Sequence, residues 1–300
     1  MNLLTRSDFD GLASATILKD IGIIDVWKFV HPKDLQDGIV TVTENDVLAN
    51  VPYVPGCGLW FDHHISEGLR LGEFEFKGSV EYIDSAARVI YNYYKNDYDL
   101  AKFETMLDAV DKVDAARLTV NEIMNPTGWV LLGYVMDPRT GLGRFRDFQI
   151  SNYQLMEKLI DFCACMPIEE ILEDPDVKER TTLYLEHAKL FEEMLRKHTR
   201  TEGNVIITDL RDVDTIYSGN RFMVYALFPA QNISVWIVDG KQKMNAAIAV
   251  GYSILNRTSK VNVGEILLSY GGGGHHQVGT CQVPYADCDK VVGELTQKLQ

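Results

Sequence analysis

Paired cysteines, long apolar runs and positive charge are all scarce in this sequence. Its five cysteines, Cys57, Cys163, Cys165, Cys281 and Cys288, are odd in number, scattered and free of any C-x-x-C pair. That pattern argues against a secreted disulfide framework and against a zinc finger, and it predicts reduced thiols in the cytoplasm. No stretch approaches the ~20 apolar residues that cross a bilayer. The opening Met1-Asn2-Leu3-Leu4-Thr5-Arg6 lacks a basic segment followed by an apolar one, so no secretory leader is expected. Lysine and arginine total 29 against 43 aspartates and glutamates, a formal charge of −14. Tight binding along duplex nucleic acid draws on basic side chains that displace counterions, so such a partner is disfavoured. A small phosphorylated molecule or a short single-stranded oligonucleotide needs only a few local cations and stays open. No internal repeat or low-complexity tract occurs.

At 300 residues the chain exceeds the usual single core, which predicts two lobes. Residues 1–150 alternate short apolar strands with helical stretches, the pattern of an α/β domain with a mostly parallel sheet flanked by helices. Strands are expected at Leu3-Leu4, Val26 to Val30, Ile39 to Thr43 and Leu59 to Phe61, and helices at Leu12 to Ile21, Ser85 to Tyr94 and Ala101 to Ala116. Residues 151–200 have apolar positions three and four apart (Leu155, Leu159, Phe162; Leu183, Leu190) and read as a helical connector broken at Asp174-Pro175. Residues 201–300 return to strands, at Val205 to Ile207, Phe222 to Phe228, Ile233 to Val238 and Ala246 to Val250. Two helices follow, Val263 to Ser269 and Asp287 to Leu299, which makes a smaller C-terminal α/β domain.

Two strings carry chemistry. Asp8-Phe9-Asp10-Gly11 follows a strand and precedes a helix. Carboxylates two apart where the chain leaves the pleat can turn toward one cation, and glycine permits the tight exit. Alone, such a string is more often a turn or a helix cap. Asp62-His63-His64 follows the strand that ends at Phe61, and its imidazoles and carboxylate suit manganese, iron or zinc better than calcium.

Together these strings resemble the DHH phosphoesterase superfamily: single-strand exonucleases, nano-RNA and cyclic-dinucleotide hydrolases, exopolyphosphatases and family II pyrophosphatases. The resemblance extends to Gly271-Gly272-Gly273-Gly274-His275-His276, similar to the G-G-G-H motif of the DHH-associated C-terminal domain, and to Asn256-Arg257-Thr258 upstream. It implies two divalent cations, Mn2+ first, with Mg2+ or Co2+ as alternatives. Asp8, Asp10, Asp46, His63 and Asp114 are the implied metal ligands, with Asp111 in reserve for Asp114. Asp62 would orient a histidine and His64 would face substrate, while Arg257, Gly272, Gly273, Gly274 and one of His275 and His276 would hold the substrate's far end. Asp46 is chosen because the resemblance puts an aspartate at the end of the strand before the DHH strand. One departure stands out: family members often carry a histidine four residues before the first aspartate, and here Leu4 stands there, followed by Thr5 and Arg6.

The function implied is metal-dependent hydrolysis of phosphodiester bonds in short oligonucleotides or small nucleotides. An exopolyphosphatase or pyrophosphatase activity is the alternative, and a nucleotide-binding regulator without turnover is a third reading. No membrane association is expected, and the reading leaves room for a homodimer.

Overall fold

In a computed structural model, residues 1–64, 67, 70 and 74–300 are described. The chain forms two compact units, the first of Met1–Arg117 with Pro126–Leu183 and the second of Leu118–Asn125 with Tyr184–Gln300.

The first unit is built on five strands: β1 (Asn2–Thr5), β2 (Val26–Phe29), β3 (Asp46–Ala49), β4 (Leu59–Asp62) and β5 (Gly78–Val80). All pair in parallel, in the order β2-β1-β3-β4-β5. From β1 the chain moves to β2 on one side and then to β3 on the other, so the sheet has a topological switch point between β1 and β3. Clefts at the carboxyl ends of strands beside such a point are where open α/β sheets hold ligands. Residues Phe9 to Leu18 of α1 (Phe9–Asp20), which follows β1, are all buried, a helix apolar nearly all round that must be covered on every side. α3 (Ala86–Tyr94), α4 (Glu104–Asp114) and α7 (Asn152–Cys165) pack against it. The short α2 (Pro32–Gln36) follows β2, and α6 (Gly128–Met136) packs on α4.

One expected strand is displaced. Ile39 to Thr43 is not a strand; β3 lies three residues further on, at Asp46–Ala49. The alternating, β-branched run has the better strand propensity, yet a central parallel strand is covered on both faces and needs a continuous apolar run. Val47, Leu48 and Ala49 supply it, all fully buried, whereas Ile39 is 69% exposed. Val40 and Val42 instead pack against a cluster of Leu4, Leu48, Val51 and Trp60.

Residues 151–200 contain α7, α8 (Ile168–Glu173) and α9 (Pro175–His198), with a strand already beginning at Thr199, and Asp174-Pro175 marks the break between α8 and α9. Proline suits the first turn of a helix, where its missing N–H would have no partner. The boundary between the units falls inside α9.

The second unit carries α5 (Val120–Met124) and a six-stranded sheet of order β10-β11-β9-β8-β7-β6. Its strands are β6 (Thr199–Glu202), β7 (Val205–Asp209), β8 (Ile233–Asp239), β9 (Asn245–Tyr252), β10 (Gly273–His275) and β11 (Val278–Pro284). Only the β7–β8 pair among these is parallel. Burial alternates along β9 and β11, so one face is covered, by α11 (Val263–Leu268) and α12 (Cys288–Lys298) through Val263, Leu267, Val291 and Leu295. Phe222 to Phe228, expected as a strand, contains the helix α10 (Met223–Leu227). The Asn220 side chain accepts the Phe222 N–H at 2.9 Å and the Asn220 carbonyl accepts that of Met223 at 2.9 Å. That local side-chain bond turns an aromatic-rich run into a helical start.

Candidate metal centre and active site

Thr5, Ala49 and Phe61 are aligned by register at the carboxyl ends of β1, β3 and β4. The residues that follow them therefore converge. Asp8 is the N-cap of α1, its Oδ1 accepting the Gly11 N–H at 2.9 Å. A Cβ on Gly11 would collide with the Arg6 carbonyl oxygen, so the tight exit from β1 requires glycine. Asp10 is 1% exposed, and its two oxygens accept the first free amides of α3, Ala86 N–H at 2.9 Å and Ala87 N–H at 2.7 Å. A helix N-terminus favours an anion there. Burial nevertheless raises the Asp10 carboxyl well above the usual range, helped by the charges of Asp114 and Asp8 and opposed by the Ala87 and Ala86 amides. Asp8 is raised too, by burial and then by Asp114, with Arg6 and the Gly11 amide acting against it.

His63 closes the group. Its Nδ1 lies 3.1 Å from the Ile83 carbonyl oxygen, which can only accept, so the proton sits on Nδ1 and the lone pair on Nε2. That Nε2 is buried and has no hydrogen-bond partner among the described residues, 3.7 Å from Asp10 Oδ2 and 3.4 Å from Asp114 Oδ2. Two carboxylates and an imidazole nitrogen whose ligand atoms lie within 4.8 Å of one another form a donor set for a divalent cation. Asp62 and His64 form a second triplet with His63. Here Asp62, fully buried at the end of β4, is hydrogen-bonded at 2.8 Å to His64 Nδ1. Burial works against charge on His64, but the bond and charge of Asp62, with Asp114 behind them, leave its pKa raised.

The expected residues thus divide. Asp10, His63 and Asp114 come together, with Asp8, Asp62 and His64 around them. Asp111 is taken up by Ser85 Oγ at 2.6 Å and Arg88 Nε at 2.8 Å, which leaves Asp114 as the carboxylate at the centre. Asp46 does not join them, which corrects its assignment as a ligand. It begins β3 rather than ending a strand, sits beside Asn2 in the register, and spends its carboxylate on Asn2 Nδ2 at 3.1 Å and on the amide and hydroxyl of Thr43 at 2.7 and 2.9 Å. The cause is the displaced strand: the residue that follows β3 at the site is Asn50. Its φ of 56° lies in the left-handed region that asparagine tolerates, and its Nδ2 donates to Asp8 Oδ1 at 3.1 Å. Leu4 packs into the apolar cluster under β3 and β4.

In the second unit, Gly273 to His275 form β10 and pair with Val278 to Thr280 of β11. Glycine is obligatory at Gly272 and Gly274, where a Cβ would strike the Thr280 and Val278 carbonyl oxygens; at Gly273 the nearest atom would be 3.9 Å away. His275 and His276 are exposed, and Arg257 Nε donates to the Ile254 carbonyl at 3.1 Å.

Asn50, Arg6, Ile83 and the α3 N-terminus escaped the sequence reading. The continuous apolar run Val47-Leu48-Ala49 before Asn50 was the available signal.

No protein-family profile and no curated protein matches the chain. Among solved structures, the pGpG-specific phosphodiesterase PggH from Vibrio cholerae superposes with a TM-score of 0.90 at 46% sequence identity, covering 99% of this chain and 98% of that one. The chain belongs to the DHH phosphoesterase superfamily. This DHH chain is accordingly a hydrolase acting on phosphodiester bonds. Two more distant structures share the DHH fold alone. One is an exopolyphosphatase-related protein from Bacteroides fragilis, with a TM-score of 0.53, 11% identity and coverage of 99% of this chain and 91% of that one. The other is RecJ in complex with Mn2+ from Thermus thermophilus, with a TM-score of 0.58, 14% identity and coverage of 99% and 51%. No helix among the described residues is long and apolar enough to cross a membrane.

Proposed function

We propose that the enzyme hydrolyses the phosphodiester bond of short linear oligonucleotides, with pGpG as the first substrate to test, and that Mn2+ is the cation held by Asp10, His63 and Asp114. The single observation that carries the chemistry is the buried Nε2 of His63, without a hydrogen-bond partner among the described residues, facing two carboxylates. The full-length similarity to a pGpG-specific phosphodiesterase supports the substrate class. A divalent cation supplies Lewis acidity toward phosphoryl oxygens and makes water nucleophilic near neutral pH, so no serine or cysteine nucleophile is called for.

The chain's own residues do the rest. The Ile83 carbonyl fixes the His63 ring by accepting the hydrogen bond of its Nδ1–H, and the α3 amides fix both oxygens of Asp10. Such outer partners set ligand orientation and basicity. Asp62 accepts the Nδ1–H of His64, which directs Nε2 away from it, and the raised pKa of His64 lets Nε2 carry a proton to a phosphoryl or leaving oxygen. In the second unit Arg257, His275 or His276, and Gly273 with its open face are the residues to which the DHH resemblance gives contact with a phosphorylated ligand. A cytoplasmic location suits this substrate and the five free cysteines.

The test is a panel of pGpG, other linear dinucleotides and short polyphosphates, each with Mn2+, Mg2+, Co2+ and Zn2+. Metal-dependent release of mononucleotide from dinucleotides, abolished by chelation and by His63→Ala, is the expected result. Release of phosphate from polyphosphate with every dinucleotide left intact would overturn the reading.

A further inference from the structure

Among the described residues, every hydrogen-bond and ion-pair partner of Asp8 is a donor. Oδ1 accepts from the Gly11 amide and the Asn50 carboxamide, and Oδ2 lies 3.1 Å from Arg6 Nε. None is a carboxylate or an imidazole. Asn50 stands at the strand end where a charged carboxylate could have faced Asp8, and it turns its amide nitrogen, not its oxygen, toward it. Leu4, on β1, is committed to the apolar cluster. A metal ion at Asp8 would therefore find one carboxylate already occupied by donors and a guanidinium beside it, while the negative charge that acts on Asp8 comes from Asp114, which belongs to the donor set of Asp10 and His63. The three atoms that do converge for a cation belong to Asp10, His63 and Asp114, without Asp8.

Arg6 is well placed to act outward. Its side chain is 43% exposed, and among the described residues its ion pair is with Asp8 through Nε, an ion pair in which the two terminal nitrogens of the fork take no part. A planar guanidinium anchored through one edge can grip a phosphoryl oxygen with the other. A second arginine backs it: Arg139, held by Asp137 at 2.7 Å, acts electrostatically on both Asp8 and Asp114.

We propose that Arg6, anchored on Asp8 with Asn50, stands in place of a second metal ion, so that the chain binds one divalent cation, at Asp10, His63 and Asp114, and presents the Arg6 guanidinium to a substrate phosphoryl oxygen. The phosphate contact rests on the functional reading above; the metal count does not. A DHH hydrolase of this kind would charge its cleft with one ion and one arginine, and its rate would follow the occupancy of a single metal site.

The experiment titrates Mn2+ into chelator-treated, full-length protein, counting ions by calorimetry and reading their environment by electron paramagnetic resonance. One ion per chain with an uncoupled manganese spectrum is expected; two ions with exchange coupling would overturn the proposal, whatever substrate is cleaved. In the double variant Arg6→Gln, Asn50→Asp, which removes the guanidinium and adds a carboxylate, a second ion is expected, and a count that stays at one overturns the claim that these residues exclude it. With one Mn2+ bound, Arg6→Gln should weaken binding of guanosine 5′-monophosphate roughly 10-fold or more, with partial recovery in Arg6→Lys. Unchanged affinity in a folded Arg6→Gln protein would remove the phosphate contact.

Discussion

Stripping divalent metal from the enzyme should make its stability fall as pH rises, and returning the metal should reverse that loss at neutral pH. Asp8 and Asp10 both have folded-state pKa values above the ordinary carboxylate value, chiefly through burial and then through Asp114. The metal-free folded state therefore holds protons that the unfolded chain releases, and stability declines from the ordinary carboxylate range up through the raised folded values. His64 acts with the same sign: its folded pKa is raised, so its contribution is complete below the unfolded value and is lost as pH rises through the folded one. A cation among Asp10, His63 and Asp114 replaces those protons. At a free concentration about 100 times its dissociation constant it adds ~2.7 kcal/mol, and at ~2–4 °C per kcal/mol for a domain of 150–250 residues that amounts to a melting-temperature rise of roughly 5–11 °C. Differential scanning fluorimetry from pH 5 to 8, with chelator and with Mn2+, measures both effects. Asp10→Asn should abolish most of the metal-induced shift and flatten the metal-free pH profile. A metal-free melting temperature that rises with pH across this range, or an equal Mn2+ shift in Asp10→Asn, would refute the reasoning.

Further outcomes follow from single contacts. Asp46→Asn should destabilise the fold by about 1–3 kcal/mol by weakening the Thr43 turn while leaving the Mn2+ shift and turnover in place; chemical denaturation and a metal titration check the pair. In Asp62→Asn the His64 pKa should fall, seen by NMR titration, and kcat/KM should drop about 10–100-fold. Gly11→Ala and Gly272→Ala should each cost at least ~2 kcal/mol through backbone collision, whereas Gly273→Ala, with its nearest neighbour 3.9 Å away, should keep wild-type stability, so that a raised KM there reports on substrate.

Much of the site was legible because its chemistry is local: Asp8 to Gly11 and Asp62 to His64 each follow a short apolar strand, and parallel strands bring such ends together whatever lies between. Register was not legible. Choosing Asp46 followed from trusting β-branched alternation at Ile39 to Thr43, when burial on both faces selects the shorter run Val47 to Ala49 and moves the strand end to Asn50. Asp111 and Asp114 could not be separated by spacing, since both lie on α4; Arg88 and Ser85, contributed by α3 and its N-cap, claim the first. The misread run at Phe222 to Phe228 turned on one side-chain bond from Asn220, too local for a periodicity to register.

The carboxylate of Asp10 also links the reaction centre to the architecture. Its two oxygens hold the opening amides of α3, and one of them, Oδ2, also lies 3.7 Å from His63 Nε2. Filling or emptying the metal site redistributes electron density on those oxygens, so hydrogen exchange at Ala86 and Ala87 becomes a gauge of occupancy. With a cation at the proposed site, the helix that flanks the sheet would report its presence through those two hydrogen bonds.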